Sequence, residues 1–306
     1  MNHKVNISVV IPSHNRLEEL RRAIQSVMKQ SYLPTQIWII DDGSTEDLST
    51  LKDEFKTIPV FYYRLSEKSN ANVARNKGAE LSDADYIAFL DSDDEWETNH
   101  LLAFYENIDN QSHGYFCGAK IYRQVGTDPM PKLSVSLAEA KTSMDFLLGG
   151  GFAQTSGFIV ERVTFLQCKF DATLKRHQDF DFFVRFYERY KWKQLSHFTV
   201  IIHWEEGRIV NRDYRSEMKF IIRNRSKISP EVYKRYIRNQ YDYFYNQKQL
   251  AALSIYQEEL KYFADLLSFS EYKSFFKEVP LGFWRNTFFV IQYLFFKFRY
   301  FKKQSS

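Results

Sequence analysis

Three short apolar runs in this chain each stop at a polar cluster. Residues 7–12 (ISVVIP) lead into Ser13–Arg16, residues 36–40 (QIWII) into Asp41–Ser44, and residues 86–90 (YIAFL) into Asp91–Asp94. Continuous apolar runs of this length read as strands buried on both faces, and such strands belong to parallel sheets covered by helices. Ligands bind such sheets beyond the carboxyl ends of the strands. Three polar clusters at three strand ends therefore predict one shared site rather than three solvated turns.

Helical periodicity fills the gaps between the strands. Leu17, Leu20, Ile24, Val27 and Met28 share one helical face. Residues 59–65 read as another strand and 71–81 as a helix. Further strands are predicted at 113–123, 156–160 and 195–204, and helices near 142–148 and 176–190. The fold class is α/β: a mainly parallel, Rossmann-like central sheet with helices on both faces, over residues 1–210. From residue 211 to 306 the pattern is helical, with Pro230 and Pro280 as breaks.

Asp91, Asp93, Asp94, Glu95 and Glu97 crowd the end of the 86–90 strand. Like charges packed this closely need a cation among them. Two aspartates one residue apart can turn oxygens toward one hard divalent ion, Mg²⁺ or Mn²⁺, whose shell is completed by water and phosphate. Asp94, Glu95 and Glu97 are expected to open the next helix.

Charge is distributed unevenly. Residues 1–205 carry 23 Lys+Arg against 28 Asp+Glu, whereas residues 206–306 carry 19 against 10. The stretch 281–304 holds ten aromatics, five Lys+Arg and no acid, and its longest uncharged run has 11 residues. A spanning helix needs about 20 apolar residues, so this tail predicts attachment to an anionic membrane surface rather than a crossing. No base-reading motif accompanies the basic charge, so the expected partner is the membrane surface and not nucleic acid. The two cysteines predict no disulfide framework and a reducing, cytoplasmic setting. The opening apolar run is too short for a signal peptide.

Five segments together, VVIPSHNR (9–16), IIDDGSTED (39–47), NVARNKGAE (72–80), FLDSDDEW (89–96) and HQDFDFFVR (177–185), resemble the inverting glycosyltransferases of family 2. The resemblance covers roughly residues 5 to 205. It implies the A-type nucleotide-diphospho-sugar fold, a UDP-sugar donor and a glycan or glycolipid acceptor of the bacterial surface. Pro12, Ser13 and Asn15 would lie beneath the nucleotide. Asp41, with Asp42, would meet the base, and Arg75 and Asn76 would flank base and ribose. Asp93 would be the principal metal ligand, Asp91 would touch the ribose or donor sugar and support the metal, and His203 would reach the metal or pyrophosphate. Asp179 matches the catalytic base, although Gln178 stands where the family usually has Glu. Thr155, Ser156 and Gly157 would border the acceptor, and residues 149–152 (GGGF) would form a mobile segment over the donor. Asp181 and Arg185, four apart, predict a structural ion pair. A nucleotidyltransferase of the same fold type and a non-catalytic scaffold that binds nucleotide sugars are the competing readings. The first lacks its usual glycine-rich basic opening. The second is disfavoured by the joint presence of Asp41, Asp93 and Asp179.

Overall fold

The computed structural model describes residues 5–122, 128, 130–132, 134–174, 176–204, 214–247 and 259. In chain order the elements are β1 (Ile7–Ser13), α1 (Leu17–Met28), β2 (Gln36–Asp41), α2 (Leu51–Glu54), β3 (Val60–Arg64), α3 (Ala71–Leu81), β4 (Tyr86–Phe89), β5 (Glu95–Trp96) and α4 (His100–Tyr105). They continue with β6 (Gly114–Tyr122), β7 (Met130–Pro131), α5 (Ser143–Leu148), β8 (Phe158–Glu161), α6 (Arg162–Cys168), α7 (Gln178–Tyr187), β9 (Trp192–His203), α8 (Tyr214–Arg223) and α9 (Pro230–Asn246). The basic tail at 281–304 lies outside the described residues.

One sheet runs in the order β3-β2-β1-β4-β8-β6-β9-β5, with β7 paired to β6. The first four strands are parallel, as the buried runs predict. The far half is mixed: β8 runs antiparallel to both β4 and β6, and β9 runs parallel to β6. Two reversals restore the original direction. The carboxyl end of β9 therefore lies at the same sheet edge as those of β1, β2 and β4. The amino end of β8 lies there too, because β8 points the other way.

Helices cover both faces. All seven residues of β1 are buried. Val9 and Ile11 join Leu20, Ala23 and Ile24 of α1 in one core. Val10 and Ile40 face α3 on the other side, against Gly78, where an added Cβ would sit 2.4 Å from Val10 Cγ1. Gly78→Ala should therefore overpack this seam and cost about 1–3 kcal/mol, read as a lower thermal midpoint with the site chemistry intact.

The predicted helix at 94–97 is not formed. Glu95 and Trp96 make a short strand that pairs antiparallel with Val200–Ile201 of β9, and the helix begins only at His100. Pairing to β9 gives the backbone of these residues partners that one isolated acidic turn could not supply.

The described chain divides into two compact units, 1–224 and 225–306. In the second, Tyr233, Ile237, Tyr241 and Phe244 form a buried stripe along α9, and Tyr233 donates its hydroxyl to Glu259 at 2.7 Å. Pro230 opens that helix, where its missing N–H costs nothing. Among the described residues no helix is long and apolar enough to cross a membrane.

Candidate active site

A cavity of about 550 Å³ opens at the strand-end edge. Pro12, Ser13, Asp42, Arg75, Asp91, Asp93 and His203 line it, as the sequence predicts for the site. Asp94, Gln154, Arg176, Gln178 and Trp204 line it as well.

The loops after β1 and β2 are held by local hydrogen bonds. Asn15 sits at φ 52°, a left-handed conformation its short polar side chain tolerates. Its Oδ1 accepts from Thr45 N at 2.7 Å, and its backbone N donates to Ser44 Oγ at 2.9 Å, so the loops after β1 and β2 are tied together. Asp41 is fully buried, accepting from Ser44 N at 2.8 Å and from the Tyr62 hydroxyl at 2.7 Å. Its oxygens thus brace the Asp-Asp-Gly-Ser turn, and Asp42 is the acid on the cavity wall. Asn76 also stays off the wall. Its carboxamide donates to Phe170 O and accepts from Phe170 N, both at 2.9 Å, which locks α3 to the segment after α6. Asn70 and Asn72 donate to the carbonyls of Ala172, Asp171 and Leu174 in that same segment.

Each acid after β4 has its own partner. Arg75, only 3% exposed, places Nη2 2.5 Å from Asp91 Oδ1. Asp93 meets Arg16 at 2.7 Å. Asp94 is buried and accepts from Ser156 Oγ at 2.6 Å and Gln154 Nε2 at 3.1 Å. Ser156 Oγ also accepts from Asp91 N at 3.1 Å, so one hydroxyl stitches the acidic loop to the turn before β8. Burial, and then the charges of Asp91 and Asp93, push the Asp94 carboxyl up to about 7. His203 Nε2 lies 2.7 Å from Glu95 Oε1, because β5 pairs with the end of β9.

The expected cluster of Asp91, Asp93 and His203 around one ion is therefore not preformed. Among the described residues no three His, Cys, Asp or Glu side chains converge as metal ligands. Each is instead paired elsewhere: Asp91 with Arg75 of α3, Asp93 with Arg16 of the loop after β1, and His203 with Glu95. The donors on the wall are carboxylate oxygens, which suit a hard divalent cation, and Asp93, one-third exposed, is the most accessible of the three acids.

Asp179 occupies the first turn of α7, beside the wall residue Gln178. Its Oδ1 accepts from Phe180 N at 2.9 Å. Desolvation, opposed by the Phe180 N–H and by Arg75 and reinforced by the Asp91 charge, pushes its carboxyl up to about 6. The predicted Asp181–Arg185 pair forms at 2.7 Å, and Arg223 of α8 reaches the other Asp181 oxygen at 2.9 Å. In the glycine run, Gly151 donates to Phe146 O at 2.7 Å and Phe152 to Ser134 Oγ at 2.8 Å, so residues 151–152 are pinned by hydrogen bonds.

The order of these motifs and the sheet that carries them define a nucleotide-sugar transferase architecture. The model for glycosyl transferase family 2 matches residues 8–170, and the chain belongs to that family. The amylovoran biosynthesis glycosyltransferase AmsB of Erwinia amylovora is 30% identical over 59% of this chain and 64% of its own length. The putative colanic acid biosynthesis glycosyl transferase WcaA of Escherichia coli K12 is 28% identical over 68% of this chain and 75% of its own length. The chain thus spans just under two thirds of AmsB. Among solved structures, S. aureus TarS 1-349 in complex with UDP-GlcNAc aligns with a TM-score of 0.56 at 19% identity, covering 76% of this chain and 64% of that one. This likeness shows a shared fold.

Proposed function

We propose that this chain is an inverting, metal-dependent glycosyltransferase. It moves a hexose or N-acetylhexosamine from a UDP-sugar to a growing surface glycan, such as lipopolysaccharide or capsule. One observation carries the reading: the loops after β1, β2 and β4 and the first turn of α7 meet around a single cavity. Nucleotide binding belongs to the β1–β2 end, leaving-group charge to the Asp91–Asp94 loop, and proton removal to α7. AmsB and WcaA are named for amylovoran and colanic acid biosynthesis, and the TarS complex makes UDP-GlcNAc a natural first donor to try.

A divalent cation, Mn²⁺ or Mg²⁺, held by Asp93 with support from Asp91, would supply Lewis-acid stabilisation of the leaving diphosphate. Arg16 and Arg75 hold these two carboxylates in place, and Arg75 is shielded from water. Asp179 accepts the proton of the acceptor hydroxyl. The acceptor oxygen forms its bond to the anomeric carbon from the face opposite the diphosphate. The bond to UDP breaks with its electron pair leaving on the diphosphate, so the configuration inverts. The raised pKa of Asp179 suits this role, since a base poised near the working pH serves best. The basic aromatic residues 281–304 would hold the enzyme on the inner face of an anionic membrane, close to a lipid-linked acceptor.

Calorimetry tests the donor reading. UDP should bind in Mn²⁺ and lose most of that affinity in excess EDTA. A panel of labelled UDP-sugars with glycolipid acceptors then identifies the sugar, and NMR of the product reads its anomeric configuration. Equal UDP affinity with and without metal would refute the metal assignment. Retained configuration would refute the single displacement. For the tail, salt-sensitive binding of the full chain to anionic but not neutral vesicles is expected.

A further inference from the structure

The family match ends at residue 170, yet the Asp179 turn is held by an element further along the chain. That element is α8, in which Glu217, Met218, Phe220 and Ile221 are buried. It belongs to the same compact unit as the cavity, residues 1–224. Three of its side chains reach the segment that carries Asp179. Phe220, 1% exposed, stacks on the His177 ring with centroids 5.3 Å apart and planes at 20°, and its centroid lies 6.3 Å from that of Phe180. Arg223 Nη1 donates to Asp181 Oδ1 at 2.9 Å and lies 3.4 Å from Asp171 Oδ2. Glu217 Oε1 lies 3.6 Å from Nε of Arg176, a residue of the cavity wall. Residues 176, 177, 180 and 181 bracket Asp179, and α8 engages each of them.

The turn needs such a hold. His177, at the N-cap of α7, sits at φ 55°, and its side chain makes no capping hydrogen bond. This left-handed conformation is disfavoured for a residue with a Cβ and persists where the surroundings fix it. The direction in which α7 leaves, and with it the aim of the Asp179 carboxylate, follows from that dihedral. Asp181 N donates to His177 O at 2.8 Å and closes the turn. The Asp179 carboxylate accepts from Phe180 N, one residue away, a bond that moves with the turn and cannot anchor it. The anchors come from α8.

We infer that α8 positions the catalytic base: Phe220 and Arg223 are positioning residues that hold residues 177–181 so that Asp179 meets the acceptor hydroxyl. This rests on Asp179 being the base, as proposed above. Hydrogen exchange of the full chain, read by mass spectrometry, reports the turn without substrate. Phe220→Ala should speed exchange across residues 177–183 about tenfold or more. Arg223, whose side chain is 45% exposed, gives a second variant that keeps the core intact. Arg223→Ala should speed exchange about threefold or more, and Arg223→Lys less. Ile221→Ala is the control: it removes buried packing from the same helix but neither the ring nor the charge, and exchange across 177–183 should match the wild type. Turnover is read as UDP release with water as acceptor in Mn²⁺, using the fastest of UDP-glucose, UDP-galactose, UDP-N-acetylglucosamine and UDP-N-acetylgalactosamine. Phe220→Ala and Arg223→Ala should lower kcat about ten- to a hundredfold, with UDP affinity by calorimetry kept within about twofold. Neither should lower kcat further in the Asp179→Asn background, because a residue that acts through Asp179 then has nothing left to act on. If Phe220→Ala does not fold, Arg223→Ala carries both measurements. Unchanged exchange across 177–183 would overturn the role of α8, as would equal effects in Ile221→Ala or kcat losses that persist undiminished in the Asp179→Asn background. Normal turnover of Asp179→Asn alone would instead strike the base reading, and exchange would still decide whether α8 holds the turn.

Discussion

Asp93→Ala should lose transfer by about a hundredfold or more while leaving the protein folded. The expectation comes from where the carboxylate stands. Asp93 lines the cavity, its side chain is one-third exposed, and its described ion pair is with the similarly exposed Arg16. A pair at that exposure contributes about 0–1 kcal/mol to stability, so the thermal midpoint should move little. What disappears is a charged anchor for the cation that would offset developing negative charge, and losing one such electrostatic contact typically costs about 10²–10³ in rate. Mn²⁺-dependent UDP binding should weaken in parallel. Asp94→Ala makes the contrast. Asp94 is buried and holds Ser156 and Gln154, so its removal should lower stability first. A fully active Asp93→Ala enzyme would move the metal role to another acid or abolish it.

Asp179→Asn should lower kcat by about 10²–10⁴-fold, the usual contribution of a general base, with UDP affinity nearly unchanged. The wild-type pH profile carries a second test. With its carboxyl raised to about 6, Asp179 keeps its proton below that pH and cannot accept another. Activity should therefore fall on the acid side with an apparent pKa near 6, and this limb should vanish in the variant. Linkage gives the stability a definite sign. A carboxyl whose folded-state pKa exceeds the unfolded value of about 3.9 favours folding most at low pH, and this contribution is lost as pH rises through 6. At pH 8 the wild type holds a charge that its partly desolvated surroundings disfavour, and Asn does not. Asp179→Asn should accordingly melt higher than wild type at pH 8, with the gap narrowing toward pH 5. An unchanged kcat would pass the role of base to another group.

Much of this was legible in the residues. The runs ending at Pro12, Ile40 and Leu90 foretold the parallel half of the sheet, because strands buried on both faces show no alternation. Residues 71–81 read as a helix, and α3 spans just those residues. The mixed half was harder to read. A short strand such as Glu95–Trp96 has no periodicity to detect, and its existence depends on β9, a hundred residues away. Asp94 was read as a helix start for the same reason: its partners, Gln154 and Ser156, come from the amino end of an antiparallel strand. The rule that sites gather at carboxyl ends does not point to such a turn. Trp204 carried no local signal beyond its position at the end of a strand. Asp41 and Asn76 sit within the family's motifs, yet their side chains serve loops, a distinction that only the hydrogen-bond partners reveal.

The strand order also sets when this centre can exist during synthesis. β4, which carries the acidic loop, is flanked by β1 on one side and by β8 on the other. Its acids meet partners that emerge far later: Ser156 follows Asp94 by 62 residues, and His203 follows Glu95 by 108. At about 5–20 residues per second, a ribosome needs roughly 5–20 s to deliver the second of these. Until the first of these emerges, the nascent chain has the four strands of the parallel half-sheet but not β8, which covers the β4 edge, nor Gln154 and Ser156, which hold Asp94. Stalled chains too short to free β8 from the exit tunnel should accordingly expose that edge to chaperones, and the exposure should end once β8 clears it.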